Sequence, residues 1–213
     1  MPFDKGHVAY VWADALLAYL TGIGYGDEAR KDEFNERWPM QYHIVGKDIT
    51  RFHCVIWPAM LMAAGLPLPK CIFGHGFLLT KGEKMSKSRG NAIRPVDIIN
   101  EFGLDGYRYY FMRDVAFGAD GSISAERMVQ IYNADLANTW GNLCSRVFNM
   151  TKKYFDGSVP EANASLPNPM KEIAESLYSE YDKALDALDF AGGAEAALKL
   201  AERVNGYVEE TAP

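Results

Sequence analysis

Apolar residues change their spacing along this chain, and the change divides it in two. His7 to Val11, an apolar run led by a histidine, predicts a short buried strand. Asp14 to Leu20 predicts a helix with Ala15, Leu16, Tyr19 and Leu20 on one stripe. Gly22, Gly24 and Gly26 follow that helix instead of leading into one from a strand, so they predict a loop and not a nucleotide-binding turn. Asp27 is placed to cap a charged surface helix that ends near Trp38-Pro39. Tyr42 to Gly46 predicts a second strand. A helix begins near Asp48 and runs toward Ala64 with a kink near Pro58, and Cys71 to Phe73 predicts a third strand. Strand, helix, strand, helix, strand is the order of a parallel sheet covered by helices.

Residues 80 to 91 then form a polar loop of Gly, Lys and Ser. Pro95 suits the first turn of a short helix to about Phe102, and Asp105 is placed to cap another through Arg113. Past Gly121 the period is helical throughout. Ser124 is a good N-cap for a run to about Phe155, a Pro-, Asn- and Ser-rich loop follows, and two more helices span roughly 169 to 188 and 190 to 210. The reading is an α/β region over residues 1–120 followed by an all-α helical bundle over 121–213.

Composition narrows the class. The most apolar stretch, Cys54 to Leu66, is broken by Pro58 and small residues, so it predicts a buried core helix and no membrane span. Met1-Pro2-Phe3-Asp4 is not a secretory leader, which predicts a cytoplasmic protein. Cys54, Cys71 and Cys144 form no C-x-x-C pair; they predict buried free thiols in a reducing compartment and no metal site within this chain. The net charge of −6 is uneven: residues 156–213 carry −8 and residues 1–155 carry +2. A protein charged in this way binds RNA only through a local basic patch.

One segment concentrates chemistry. Lys84-Met85-Ser86-Lys87-Ser88 is flanked by Gly82-Glu83 and Arg89-Gly90-Asn91. Lys81, Lys84, Lys87 and Arg89 place four cations within nine residues, Gly82 and Gly90 let the backbone bend at both ends, and Ser86 and Ser88 add hydroxyl donors. Such a loop suits the charge that develops as a triphosphate loses pyrophosphate.

This pentapeptide resembles the signature of class I aminoacyl-tRNA synthetases. The surrounding segments are similar to the methionyl branch of that family. They are Tyr10 to Ala15, Gly46-Lys47-Asp48-Ile49 with Phe52-His53 and Trp57-Pro58-Ala59, Gly74-His75-Gly76-Phe77-Leu78, Phe117 to Gly121, and Asn133 to Asn138. The resemblance implies a partial Rossmann-type sheet, and an enzyme that uses ATP with Mg2+ to activate methionine and then charges tRNA(Met). It implies that Lys87 is the main catalytic cation, assisted by Lys84. Gly46, Asp48, His75, Gly76, Lys84, Ser86 and Lys87 would bind ATP, with Asp48 on the ribose and His75 and Gly76 near adenine. Trp12, Ala15, Tyr19, Ile49 and His53 would line the methionine pocket, with Tyr19 or His53 donating a weak hydrogen bond to the thioether. Gly141 to Arg146 resembles the helix that contacts the anticodon, where Asn142 and Arg146 share a face.

The family's other signature, His-Ile-Gly-His, is absent, and Gly74-His75-Gly76 lacks its spacing and its leading strand. In the family that segment and the zinc-bearing insertion belong to the first half of the catalytic domain. The chain is therefore expected to correspond to the second half plus a truncated anticodon-binding bundle, and to form no methionyl-adenylate unaided. Two other readings stay open: a leucine-, valine-, isoleucine- or cysteine-specific relative, and a non-catalytic tRNA-binding module. An unrelated phosphate-binding α/β protein would need a G-x-x-x-x-G-K-[ST] loop, which the sequence lacks.

Overall fold

The computed structural model describes residues 3–8, 10–80, 82–85, 92–161, 163 and 165–212. The chain divides into two compact units, residues 1–75 and 76–213.

In the first unit, α1 (Val11–Thr21) is followed by a 3-10 turn (Glu28–Arg30) that leads into α2 (Lys31–Arg37). Asp27 caps the 3-10 turn, accepting a hydrogen bond from the Ala29 amide at 2.9 Å. Strand β1 (Tyr42–Gly46) passes into a 3-10 turn (Lys47–Ile49), a π-helical turn (Phe52–Ile56) and α3 (Trp57–Ala63), and the chain returns as β2 (Cys71–His75). β1 and β2 pair in parallel, Tyr42 opposite Cys71 through Gly46 opposite His75. The core gathers residues from successive turns of α1 and α3 with Trp38, which follows α2: Leu16, Leu20, Trp38, Trp57 and Leu61 are buried, with Tyr19, Phe34 and Met60 packed against them. Each such side chain contributes roughly 1.5–3 kcal/mol on burial.

Three expectations for this unit need correction. The strand expected over residues 7–11 is not found among its described residues: Val11 already opens α1, and Val8 and Val11 are exposed. A parallel strand needs a neighbour, and among the described residues none pairs there. The predicted kink at Pro58 is instead a change of register upstream, where the Trp57 amide donates to Phe52 five residues back. A proline ring crowds the carbonyl four residues before it, and a widened turn relieves this. The segment Cys54–Leu66 is not buried all round, since Val55 and Met62 are exposed while Trp57 and Leu61 are not.

In the second unit, β3 (Leu78–Thr80) is the centre of a small sheet. It pairs antiparallel with β4 (Glu83–Lys84) through a turn in which Gly82 has φ 76°, and parallel with β5 (Gly121–Ile123). β5 lies in the region read as wholly helical; three residues are too short for alternation to register against the helix that follows. Between them α4 (Pro95–Asp114) is broken at Gly103, whose φ of 75° is non-helical, so the two helices expected there are both present. Ser124 accepts from the Arg127 amide at 3.1 Å and starts α5 (Ala125–Ile131), which continues through a π-helical segment (Tyr132–Gly141) into α6 (Asn142–Phe155). After a loop, α7 (Met170–Asp186) and α8 (Phe190–Thr211) pair closely; a Cβ on Gly193 would lie 3.0 Å from Leu185.

The cysteines are free thiols, but Cys54 and Cys144 are exposed and Cys71 is half-buried. Cys54 and Cys144 each follow a buried residue, His53 and Leu143, and one helical step turns the next side chain about 100° toward solvent.

A polar network ties α4 to the π-helical segment and to α8. Arg113 reaches Asp135 at 3.2 Å and Glu195 at 2.6 Å, and the Tyr109 hydroxyl donates to Asp135 at 2.8 Å. Burial first, and then the Asp135 hydrogen bond, push the Tyr109 phenol far above its ordinary range. A raised phenol value means that the folded state holds the proton more tightly than the unfolded chain. The stability is therefore fully present below the ordinary value of about 10 and is lost as pH rises past it toward the folded value. The helical signal should unfold at lower urea at pH 11 than at pH 8, and Tyr109→Phe should reduce that difference. Equal pH dependence in both proteins would show that Tyr109 does not carry it.

Candidate active-site residues

Residues 12, 15 and 19 fall three and four apart on α1, so one face of that helix carries Trp12, Ala15 and Tyr19. Tyr19 meets His53 of the π-helical turn, with 2.8 Å between its hydroxyl and Nε2. His53 Nδ1 lies 3.0 Å from the Ile49 carbonyl oxygen. A carbonyl only accepts, so Nδ1 carries the proton; in the neutral ring Nε2 is then an acceptor and Tyr19 the donor. Trp12 stacks on Phe52 with ring centroids 4.1 Å apart and meets His53 edge-on at 6.1 Å. The structure thus brings together Trp12, Tyr19, Ile49 and His53. Ala15 shares their helix face but is exposed.

The expected hydrogen-bond donation to a thioether is the part that changes. The Tyr19 proton is committed to His53 and the His53 proton to Ile49. What those two side chains present is ring surface and phenol lone pairs.

Sequence reasoning missed two members of this cluster. Phe52 is the stacking partner of Trp12, and its signal was its place beside His53. His43 is 3% exposed, accepts a hydrogen bond from the Trp57 indole at 3.2 Å, and meets the Tyr19 ring edge-on at 4.5 Å. Burial, and then the neighbouring His53, lower its basicity.

Gly46 and Asp48 sit where β1 ends and the 3-10 turn begins. A Cβ on Gly46 would lie 2.8 Å from an Asp48 carboxylate oxygen, so only glycine leaves that side chain its place. Asp48 is not an N-cap; Gly46 holds that position. His75 ends β2.

In the second unit Gly76 packs on the backbone of Ala119 and Asp120, where a Cβ would overlap the Ala119 carbonyl. The Phe77 amide donates to Asp120 Oδ1 at 2.8 Å, and the Gly121 amide donates back to the Phe77 carbonyl at 2.9 Å. Lys84, on β4, places its ammonium 3.8 Å from the centre of the Phe77 ring. Ser86 and Lys87 lie outside the described residues, as do Lys81 and the rest of the loop to Asn91.

Asn142 and Arg146 of α6 line one open cleft of about 450 Å³ together with Asn138, Thr139 and Asn205. Arg146 donates to Glu209 at 3.2 Å and reaches Asn205 at 3.5 Å, and the Asn205 amide donates to the Thr139 carbonyl at 3.1 Å. Trp140 is half-buried.

A family model described as tRNA synthetases class I (M) matches residues 1–148. The chain belongs to that family. It is 46% identical over 215 residues to the methionine–tRNA ligase of Caldanaerobacter subterraneus, covering 100% of this chain and 34% of that protein. It is 44% identical to the methionine–tRNA ligase of Bacillus subtilis, covering 100% of this chain and 32% of that one. Among solved structures, the Mycobacterium tuberculosis methionyl-tRNA synthetase in complex with methionyl-adenylate is similar with a TM-score of 0.89 at 42% identity, covering 100% of this chain and 42% of that chain. This synthetase chain therefore spans about a third of the length of the curated relatives it matches. The resemblance read from the signature pentapeptide and its flanking segments holds, as does the order of an α/β region before a helical one. No helix among the described residues is long and apolar enough to cross a membrane.

Tyr19→Phe removes one donor from the cluster and leaves His53 Nε2 without it. The expected cost is about 1 kcal/mol in urea unfolding. A variant as stable as the parent would mean that the 2.8 Å contact contributes nothing to the fold.

Proposed function

We propose that this chain forms the part of a methionine–tRNA ligase that holds the methionine side chain, one side of ATP, the cationic signature loop and the start of the anticodon-binding surface. The observation that carries this is the Tyr19–His53–Ile49 hydrogen-bonded chain beside the stacked Trp12 and Phe52. A thioether is apolar and polarizable and favours aromatic neighbours by roughly 0.3–1.5 kcal/mol. A wall whose own protons are satisfied internally suits it, because nothing polar is stranded when it binds.

In this reading the methionine carboxylate attacks the α-phosphorus of ATP, the bond to the β-phosphate breaks, and pyrophosphate leaves. A ribose hydroxyl of tRNA(Met) then takes the methionyl group and releases AMP. Asp48, past the end of β1, accepts hydrogen bonds from the ATP ribose, as carboxylates do at the carboxyl ends of parallel strands. His75 and Gly76 lie near adenine. Lys84, Ser86 and Lys87 offset the charge gathering on the departing pyrophosphate. Mg2+ enters on the phosphate oxygens; among the described residues no group of three His, Cys, Asp or Glu side chains is placed to hold a metal. Asn142 and Arg146 read the anticodon, an amide for a base edge and a guanidinium for stacking or phosphate.

The test joins this chain to the amino-terminal portion of the Bacillus subtilis relative and measures ATP–pyrophosphate exchange. Exchange should depend on methionine and not on leucine, valine, isoleucine or cysteine. Lys87→Ala should lower kcat by ~100-fold with little change in methionine KM. Dependence on a different amino acid would overturn the substrate, and an equal loss in kcat and methionine affinity would overturn the role of Lys87. Arg146→Ala should weaken tRNA charging and spare the exchange reaction; an exchange defect would remove Arg146 from the tRNA surface.

A further inference from the structure

The aromatic cluster of the first unit is fixed from the core side by a residue that the functional reading does not use. His43 is the second residue of β1 and is almost completely buried. The Trp57 indole N–H donates to its Nε2 at 3.2 Å, and Trp57 itself is fully buried between Leu16, Leu20 and Leu61. Because Nε2 accepts, the His43 proton sits on Nδ1 and the ring is neutral. The Tyr19 ring then lies edge-on against it, 4.5 Å between centroids at 68°, and also meets His53 at 5.7 Å and 66°, with the two imidazoles 6.1 Å apart. Tyr19 packs against a pair of neighbouring imidazoles, each with its tautomer set by a different fixed partner: a core indole for His43, a backbone carbonyl for His53. An edge-to-face pair of this kind contributes about 0.5–1.5 kcal/mol beyond burial and is directional.

We infer that His43 is a positioning residue: held by Trp57, it sets the plane of the Tyr19 ring, and so aims the Tyr19 hydroxyl at His53 and keeps the side-chain pocket formed before its ligand arrives. The inference deepens the methionine reading and rests on it for the identity of that ligand, but the placement of Tyr19 can be tested without it. A protonated His43 would turn an N–H toward the Trp57 N–H, so the arrangement belongs to the neutral ring.

The first test uses the 213-residue chain and nitrogen-15 spectra of its histidine rings. His43 and His53 should each show a single Nδ1–H tautomer, and the Trp57 indole proton should couple across its hydrogen bond to His43 Nε2. His43→Phe keeps a ring against Tyr19 but removes the acceptor for Trp57. In that variant the His53 Nε2 signal should shift toward that of an unbonded acceptor as Tyr19 loses its fixed plane. A wild-type spectrum with His43 protonated on Nε2, or no coupling to Trp57, overturns the inference whether or not any variant folds. So does a folded His43→Phe chain with an unchanged His53 spectrum. The second test uses the fused protein described above: His43→Phe should raise methionine KM by about 5- to 10-fold with kcat changed less than about 2-fold, the pattern of lost preorganisation. An equal fall in both constants, or no change in either, overturns the positioning role. If the wild-type fusion shows no methionine-dependent exchange, it is the methionine reading that fails, and the spectra alone decide on His43.

Discussion

The hydrogen bond from His53 Nδ1 to the Ile49 carbonyl decides what the first unit can offer a ligand. It costs the helix little, because the π-helical turn at Phe52–Ile56 has already lengthened the backbone register. The Ile49 carbonyl, one turn before His53, takes the ring nitrogen of that residue on one of its two lone pairs. That single acceptor fixes the His53 tautomer, the tautomer makes Nε2 an acceptor, and the acceptor takes the only proton that Tyr19 has. Tyr19 and His53 thus present no free donor. Two side chains that are polar by composition thereby direct their protons at fixed partners within the unit.

The second unit is organised around a different constraint, the closeness of two backbone segments. Gly76 touches the carbonyl of Ala119, the Phe77 amide bonds the Asp120 side chain, and Gly121 bonds back to Phe77. These contacts join β3 to β5 across an intervening stretch that includes the whole of α4. They also fix the Phe77 ring under the Lys84 ammonium. A lysine resting on a ring keeps its charge and gains an electrostatic contact with the ring face. Position 76 therefore needs glycine for the chain's own packing, whatever it does for a base.

Much of this was legible in the sequence, for identifiable reasons. β1 was read to the residue because buried parallel strands are short apolar runs bounded by turn signals, and Tyr42–Gly46 is such a run. Ser124 and Asp27 were read as caps because capping is local chemistry that tertiary contacts seldom reverse. The clustering of Trp12, Tyr19 and His53 came from family resemblance and not from periodicity; 34 residues separate Tyr19 from His53, and no spacing rule spans that distance. His43 was invisible for the opposite reason. A histidine at an inward position of a strand reads as an ordinary core residue until its indole partner is seen. The exposed Cys54 and Cys144 show the limit of composition: cysteine prefers the interior on average, but a helix places each residue by its angle, and the residue before each of these had already taken the inward position.

The charge asymmetry acquires a physical meaning only at α6. The acidic residues 156–213 make α7 and α8 poor surfaces for a polyanion, yet α8 sends Glu209 to Arg146 and aligns Asn205 beside it. An ion pair this exposed is worth about 0–1 kcal/mol, so it holds the guanidinium in place without binding it tightly. Glu202 lines the same cleft, so the guanidinium is surrounded by carboxylates and amides of its own chain. The cleft at α6 therefore has no surplus of positive charge, and what α8 supplies there is a fixed position for one guanidinium, set by acceptors on Asn205 and Glu209.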